Sequence, residues 1–219
     1  AINMAIDKDT LVQGVLDGYG QPCNSLALPM FEGYDESVRG YEYDPEAAKA
    51  LLAEAGYPDG FEVEMEGSFS GLSNAADIAQ AVRAQLAEVG IKTVIVEKDS
   101  NTIKDEYEAK TTSPLTFYSF GGPYNNINLI MKCVLGTGER YSAWSDPEYD
   151  KLVHDIDTAV DPAVSQEAYT AIQQYLVDHA PVVPLYQTHA IYAYNKDKIS
   201  QWIPRADEML ILNNAKIDK

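Results

Sequence analysis

A strand–helix–strand pattern between residues 61 and 96 restricts the fold of this chain more than any other feature. Residues Phe61 to Glu66 alternate between apolar and acidic side chains, which predicts a strand with one solvated face. Four apolar residues then recur at helical spacing: Ile78, Val82, Leu86 and Val89. Residues Ile91 to Val96 carry apolar side chains on both faces, which is typical of a more interior strand. Strands joined by one helix and short connections run parallel with a right-handed crossover, so the pattern predicts an α/β domain.

The helix before this unit has clear start and stop signals. Asp44 is a favourable N-cap, and Pro45 occupies the first helical position, where its missing N–H costs nothing. Gly56 supplies a left-handed C-cap, and Pro58 prevents the helix from continuing. The predicted apolar stripe of this helix consists of Ala48, Leu51, Leu52 and Ala55.

The other elements continue the α/β pattern. Asp146 with Pro147 and Asp161 with Pro162 begin two long helices. The side chains that these helices are predicted to bury are Tyr149, Leu152, Val153, Ile156 and Val160 in the first, and Ala168, Ile172, Tyr175 and Leu176 in the second. Shorter elements are a helix from the first residues, a helix at 101–109, and strands at 115–120, 182–185 and 190–194. Together these predict one domain, residues 1–219, with a mixed sheet, a βαβ unit and flanking helices.

Charge limits the partners of this chain. Its 219 residues have a formal net charge of −18, so nucleic-acid phosphates and anionic lipid surfaces repel it. No basic cluster offsets this repulsion, and no apolar run approaches the roughly 20 residues that span a bilayer. We therefore expect neither nucleic acid as a partner nor direct membrane insertion by this chain.

No set of residues has the spacing of a catalytic or metal site. His154, His179 and His189 lie far apart and form no HExxH-type pair. The stretch 66–71 is similar to a nucleophile elbow only superficially, because Phe69 stands where the serine belongs. We therefore expect no enzyme activity, no metal and no cofactor.

Cys23 and Cys133 are the only cysteines, and neither belongs to a CxxC pair, so a cysteine-based zinc site is not supported. Two alternatives stay open for them. A disulfide would close a long loop and contribute about 4–5 kcal/mol in the chain-entropy model. Two buried free thiols are the other alternative.

The segment from Phe117 to Leu129 leaves a predicted strand and enters a predicted helix. Such loops at the carboxyl ends of sheet strands are favoured ligand sites. Gly121 and Gly122 would allow backbone amides to approach a ligand closely. The side chains of this candidate ligand loop that offer aromatic faces or amide groups are Tyr118, Phe120, Tyr124, Asn125 and Asn126. An ordinary turn with its aromatic residues packed on the core is the alternative interpretation.

Six segments resemble, in the same order, those of one protein family. Residues 43–61, YDPEAAKALLAEAGYPDGF, are similar to its segment YDPEKAKALLAEAGYPDGF. Residues 1–8 are similar to the family segment AINyAIDR, and the turn at 18–22 is similar to G.G.P. Residues 85–91 are similar to QLaeiGI, residues 141–150 to YSgysnPeyD, and residues 180–186 to aPviPLy. The chain is identified on this basis as a member of the extracytoplasmic solute-binding proteins of the oligopeptide, dipeptide and nickel ABC transporter class, family 5.

This resemblance implies a fold, a location and a function. The chain would be the second lobe of a two-lobed, periplasmic-binding-protein type II-like fold, and residues 201–219 would return toward a missing N-terminal lobe. That missing part would carry the export signal and any lipid anchor of a lipoprotein, so the protein would be extracytoplasmic, either periplasmic or anchored at the cell surface. Two lobes would close on a peptide or related solute and deliver it to ABC permease subunits. The chain would fold alone but bind poorly.

The candidate ligand loop departs from the family's pattern WgaDypDPdNfl. The aspartate that pairs there with the amino terminus of a bound peptide falls on Gly122 or Pro123. Because a buried ammonium without a counter-charge is costly, we expect no α-amino salt bridge from this loop. The resemblance also places Asn24, Tyr141 and Trp144 near the cleft, and Trp144 as a plain core residue is an equal alternative.

Three functions are compared at this point. Import of a solute through an ABC transporter agrees best with the resemblance. A family-derived receptor in signalling would use the same lobe, and a hydrolase that uses the carboxylates is the weakest of the three. The ligand classes left open are peptides, opines, oligosaccharides and metal chelates.

Overall fold

The computed structural model describes residues 1–69, 74–119, 127–204, 212–213 and 215–217. The helices in this part of the chain are α1 Lys8–Val15, α2 Pro45–Glu54, α3 Ala75–Glu88, α4 Ser100–Ala109, α5 Ile127–Leu135, α6 Pro147–Thr158 and α7 Pro162–His179. The strands are β1 Gly20–Pro22, β2 Phe61–Gly67, β3 Ile91–Glu97, β4 Leu115–Phe117, β5 Tyr186–Thr188, β6 Ile199–Gln201 and β7 Lys216–Ile217. The α/β class is therefore confirmed.

The predicted βαβ unit forms the centre of a three-stranded parallel sheet with the order β3-β2-β4. Phe61 pairs with Ile91 and Gly67 with Glu97, so β2 and β3 are in register from end to end. β4 pairs with the last three residues of β2. The antiparallel pairs β1–β5 and β6–β7 form separate two-stranded sheets, so the described strands do not join into one mixed sheet.

The expectation that the strand at 91–96 is the more interior one was wrong. β4 occupies the free side of β2, which leaves β3 at the edge of the sheet. Val94 is accordingly 47% exposed, and the apolar residues on the outer face of β3 are only partly covered. The β-branched run correctly predicted a strand but not the position of this strand in the sheet, because that position depends on pairing with residues that are distant in the sequence.

Helices cover both faces of this sheet. Met65 of β2 belongs to the same core as Ile78 of α3. The next residue, Glu66, points to the opposite face and reaches Lys98, which also contacts Glu106 of α4. Successive strand residues face opposite sides of a sheet, so α3 and α4 lie on different faces.

The signals at the helix ends are confirmed. The carboxylate of Asp44 accepts a hydrogen bond from the backbone N–H of Ala47, and Gly56 has a φ of +91°. Asp146 and Asp161 cap α6 and α7 in the same way. The apolar stripe of α2 is narrower than predicted, because Ala48 and Leu52 are buried whereas Leu51 is 39% exposed.

Two apolar cores support the chain. The first joins α1, α2, α3 and the parallel sheet, and the second joins α5, α6 and α7. Tyr149, Val153 and Ile156 of α6 are buried as predicted, but Val160 lies beyond the end of that helix and is 96% exposed. In α7, Ile172 and Leu176 are buried as predicted.

The first and last predicted elements differ from the structure. The first residues form a turn, and α1 begins only after Asp7, whose carboxylate accepts from the N–H of Thr10. The strands predicted at 182–185 and 190–194 do not form there; β5 begins at Tyr186 and β6 at Ile199. Pro184 lacks the N–H that a ladder needs, and Val183 and Leu185 pack against the first core instead.

Both cysteines are free thiols in the structure, so the disulfide alternative is not realised in it. Cys23 is buried, whereas Cys133 of α5 is partly exposed, which departs from the alternative of two buried thiols. In the described ranges, no helix combines the length and the apolar character needed to cross a bilayer.

Candidate functional site

The carboxyl ends of the three parallel strands lie side by side. Gly67, the last residue of β2, pairs with Glu97 of β3 on one side and with Phe117 of β4 on the other. The residues that follow these strands therefore line one edge of the sheet. In open α/β sheets this edge is where ligands usually bind.

Three tyrosines meet beside this edge and are called the tyrosine cluster: Tyr107 of α4, Tyr118 after β4, and Tyr141 between α5 and α6. Their ring centres lie 5.6 Å (Tyr107–Tyr118), 5.9 Å (Tyr107–Tyr141) and 5.7 Å (Tyr118–Tyr141) apart. These distances are typical of favourable aromatic pairs. Tyr107 is buried beneath the other two, and Tyr118 is 40% exposed. The cluster thus presents an aromatic surface to solvent, in which the rings of Tyr118 and Tyr141 are tilted by 36° and pack against the buried ring of Tyr107.

The phenol groups of Tyr107 and Tyr118 stay neutral at physiological pH. Burial, with the neighbouring Tyr141 and Tyr107 hydroxyl groups, raises the pKa of Tyr118 to about 12. Burial is also the largest effect on Tyr107 and raises its pKa. A neutral phenol both donates and accepts hydrogen bonds, so the exposed part of the cluster suits apolar groups and amide groups together.

A charged pair lies next to the tyrosines. The guanidinium of Arg140 lies 5.6 Å from the ring centre of Tyr141, and its Nη2 atom lies 2.5 Å from Oε1 of Glu108. Both side chains are about half exposed. Tyr107 and Glu108 are successive residues of α4, and their partners Tyr141 and Arg140 are successive residues between α5 and α6. The aromatic contact and the ion pair therefore connect the same two segments.

An ion triad connects α4 to the parallel sheet, with Glu66 buried and its two partners partly exposed. Lys98 Nζ is 2.6 Å from Glu66 Oε2 and 2.8 Å from Glu106 Oε1, and the hydroxyl of Thr116 donates to Glu66 Oε1 at 3.2 Å. Burial opposes ionisation of Glu66, but hydrogen bonds with Lys98 and Ser113 outweigh it and lower the pKa of Glu66. Hydrogen bonds with Glu106 and Glu66 raise the pKa of Lys98. Glu66 and Lys98 therefore stay ionised, and the triad connects β2, the end of β3 and α4.

The structure places the predicted site residues in different surroundings. It brings Tyr118 and Tyr141 into contact. Trp144 packs instead in the second core, with its ring centre 4.9 Å from that of Tyr149. Asn24 is exposed and accepts a hydrogen bond from Lys8 of α1 at 3.0 Å. The remaining predicted residues lie outside the described part of the chain: Phe120, Gly121, Gly122, Tyr124 and Asn125.

Sequence reasoning missed Tyr107. It follows Ile103 by four residues, and both are on the buried side of α4. That spacing is a detectable signal for a core residue, but the contacts with Tyr118 and Tyr141 depend on the tertiary structure. Within the described ranges, no group of three or more metal-ligating side chains is suitably placed for an ion.

A family model and several known proteins match this chain. The model described as bacterial extracellular solute-binding proteins, family 5 Middle, matches residues 1–141. Di/tripeptide-binding protein 1 of Pseudomonas aeruginosa (strain UCBPP-PA14) is 30% identical over 193 residues, which cover 84% of this chain and 36% of that protein. Glutathione-binding protein GsiB of Escherichia coli K12 is 27% identical over 213 residues, which cover 93% of this chain and 41% of that protein.

Solved structures show the same fold at low sequence identity. HbpA2 from Haemophilus parasuis matches with a TM-score of 0.81 and 19% identity, over 100% of this chain and 44% of that one. The dipeptide-binding protein of Pseudoalteromonas sp. SM9913 in complex with Met-Leu matches with a TM-score of 0.74 and 24% identity, over 85% of this chain and 38% of that one. The chain thus spans 36% to 44% of the length of these proteins. It belongs to family 5 of the bacterial extracellular solute-binding proteins.

Proposed function

We propose that this chain is the second, ligand-binding lobe of a longer ABC transporter substrate-binding protein that takes up short peptides or a related small solute. The observation that carries the proposal is the 30% identity over 193 residues to a protein named for binding di- and tripeptides. Coverage of 36% to 41% of such relatives supports a longer parent protein. The parent protein closes two lobes around the ligand and passes it to permease subunits from an extracytoplasmic location.

In this proposal the tyrosine cluster forms part of the ligand surface. It lies at the carboxyl edge of the parallel sheet, and its aromatic rings and hydroxyl groups suit the mixed apolar and amide character of a peptide. The protein binds and releases its ligand unchanged, without acting as an enzyme. Amide and side-chain contacts are enough for this role, because the free energy of binding only has to stabilise the closed arrangement of the lobes.

A non-peptide ligand is the second candidate. Proteins of the same fold have been solved with agropinic acid, in AgaA from A. tumefaciens R10, and with mannohexaose, in TM1223 from Thermotoga maritima. The fold therefore accommodates different ligand chemistries, and the side chains of the site decide among them.

Replacing Tyr118 with alanine in the full-length protein is expected to weaken binding of the dipeptide Met-Leu about tenfold, the usual effect of removing an interface tyrosine. Isothermal titration calorimetry measures this dissociation constant. Tyr43→Ala is the matched control, because Tyr43 is 45% exposed and precedes α2 outside the cluster. Equal affinities of Tyr118→Ala, Tyr43→Ala and the unmodified protein would refute the role of the cluster. No binding of Met-Leu or of other di- and tripeptides by the unmodified protein would favour the non-peptide candidate.

A further inference from the structure

Lys110 connects the two segments that carry the tyrosine cluster. It is the residue directly after α4, and its ammonium group donates to three backbone carbonyl oxygens of the turn 139–142. The acceptors are the carbonyls of Glu139 at 2.5 Å, Arg140 at 3.4 Å and Ser142 at 2.8 Å. An ammonium group has three N–H donors, so this single turn takes the full donor capacity of Lys110.

The three acceptor carbonyls belong to residues on both sides of Tyr141 in the sequence. One belongs to the residue before Tyr141 and another to the residue after it, and the N–H of Ser142 also donates to the carbonyl of Glu139 at 3.2 Å. With the backbone held on both sides, Tyr141 has little freedom to rotate away from Tyr107 and Tyr118. Lys110 therefore fixes the backbone from which one ring of the cluster projects.

The backbone of Lys110 is itself unusual. It lies in the left-handed region, with φ 58° and ψ 41°, which glycine adopts without steric cost and lysine does not. Its N–H bonds to the carbonyls of Glu106 and Tyr107 and ends α4 there. Strained residues of this kind persist where surrounding contacts hold them, and they are frequent at functional sites.

We infer that Lys110 is a positioning residue for ligand binding: it holds Tyr141 against Tyr118 so that the two rings form one surface. The inference rests on the proposed function and extends it to a residue that does not itself touch the ligand. Ser142 is anchored independently, since its hydroxyl donates to the carbonyl of Trp144 at 2.8 Å. Removing the Lys110 side chain should therefore misplace Tyr141 without unfolding the second core.

Lys110→Gly in the full-length protein tests this, because glycine suits the left-handed backbone and lacks the ammonium. Its melting temperature is expected to stay within about 2 °C of the unmodified value, while Met-Leu binding weakens about fivefold. Lys110→Arg retains donors for the carbonyls and should restore most of the affinity. Lys104→Ala removes an exposed lysine from the same helix and should change nothing.

A double-mutant cycle separates positioning from general stability. Tyr141→Ala and Lys110→Gly should each weaken binding, and the double variant should bind no worse than Tyr141→Ala alone. Fluorine NMR of fluorotyrosine-labelled protein should show shifted Tyr118 and Tyr141 resonances in Lys110→Gly before any ligand is added. Additive losses, or unshifted resonances, would overturn the inference.

The outcomes also distinguish the inference from the proposed function. Weak binding by Tyr118→Ala and Tyr141→Ala with normal binding by Lys110→Gly would leave the proposed site in place and reject the role of Lys110. Normal binding by both tyrosine variants would reject the site, and the role of Lys110 with it.

Discussion

Lys98→Met is expected to lower the free energy of unfolding by about 3–5 kcal/mol at pH 7, the cost of breaking a buried ion pair. The side chain of Glu66 is 0% exposed, and Lys98 is its cationic partner at 2.6 Å. Removing that partner leaves a buried carboxylate without its counter-charge, in the strand at the centre of the sheet. Urea unfolding followed by circular dichroism measures the loss.

The pH dependence of this loss has a definite sign. In the unmodified protein the pKa of Glu66 is lowered, so its contribution to stability is present above the unfolded pKa and disappears as the pH falls through the folded pKa. In Lys98→Met the effect of the ammonium group is lost, whereas burial and the hydrogen bonds with Ser113 and Thr116 remain. The pKa of Glu66 therefore rises relative to the unmodified protein, and a proton neutralises the carboxylate at higher pH. The difference between the two proteins should therefore be largest near neutral pH and shrink toward the pH at which Glu66 becomes protonated.

Lys92→Met is the matched control, because Lys92 lies on β3, the strand that Lys98 directly follows, and is exposed. Its effect should stay below about 0.5 kcal/mol. If Lys98→Met lowers the free energy of unfolding no more than Lys92→Met does, the ion triad contributes nothing to stability.

Lys8→Met is expected to stabilise the protein at pH 7 by about 2 kcal/mol. Lys8 is only 5% exposed, and its ammonium group donates a hydrogen bond to the amide oxygen of Asn24 at 3.0 Å. Burial lowers the pKa of Lys8 from 10.5 to about 8, an effect that Cys23 partly opposes. A shift of that size corresponds to about 3 kcal/mol, from which the lost hydrogen bond subtracts about 1 kcal/mol.

The stabilisation by Lys8→Met should depend on pH in the alkaline range. Between about pH 8 and pH 10.5 the unfolded state binds more protons at Lys8 than the folded state does, so the unmodified protein gains stability as the pH rises. The advantage of the methionine variant should therefore be full below pH 8 and fade above it. Burial raises the pKa of Cys23 to about 11, which acts in the opposite direction, but Cys23 is present in both proteins.

Chemical denaturation at pH 7, 9 and 10 measures this difference. Lys104→Met serves as the control for removal of an exposed positive charge. An advantage for Lys8→Met that is absent at pH 7, or that grows with pH, would contradict a buried, charged Lys8.

Local signals predicted the parts of this fold that depend on a few neighbouring residues. Asp44, Asp146 and Asp161 cap their helices as expected, because an N-cap is decided within one turn. The parallel pairing of β2 with β3 was also predictable, since a short strand–helix–strand connection leaves little choice. The edge position of β3 was not, because it is set by β4, which pairs with β2 about 50 residues further along the chain.

The candidate site likewise has some residues that the sequence suggests and some contacts that only the folded structure shows. Tyr118 was a candidate because it follows a strand, and Tyr141 because of the family resemblance. Their contact with Tyr107, and the hydrogen bonds from Lys110 to a turn about 30 residues away, exist only in the folded chain. Trp144 had a core role as its stated alternative, and its contacts with Tyr149 and Tyr175 place it in the second core.

Native mass spectrometry of the full-length protein, purified gently from its own host, tests whether it binds short peptides. We expect a bound species whose mass and fragmentation are those of a short peptide, displaced by excess Met-Leu. A bound species of sugar or opine composition would contradict the assignment to peptides. A protein that carries no ligand and gains no mass with any di- or tripeptide would contradict it as well.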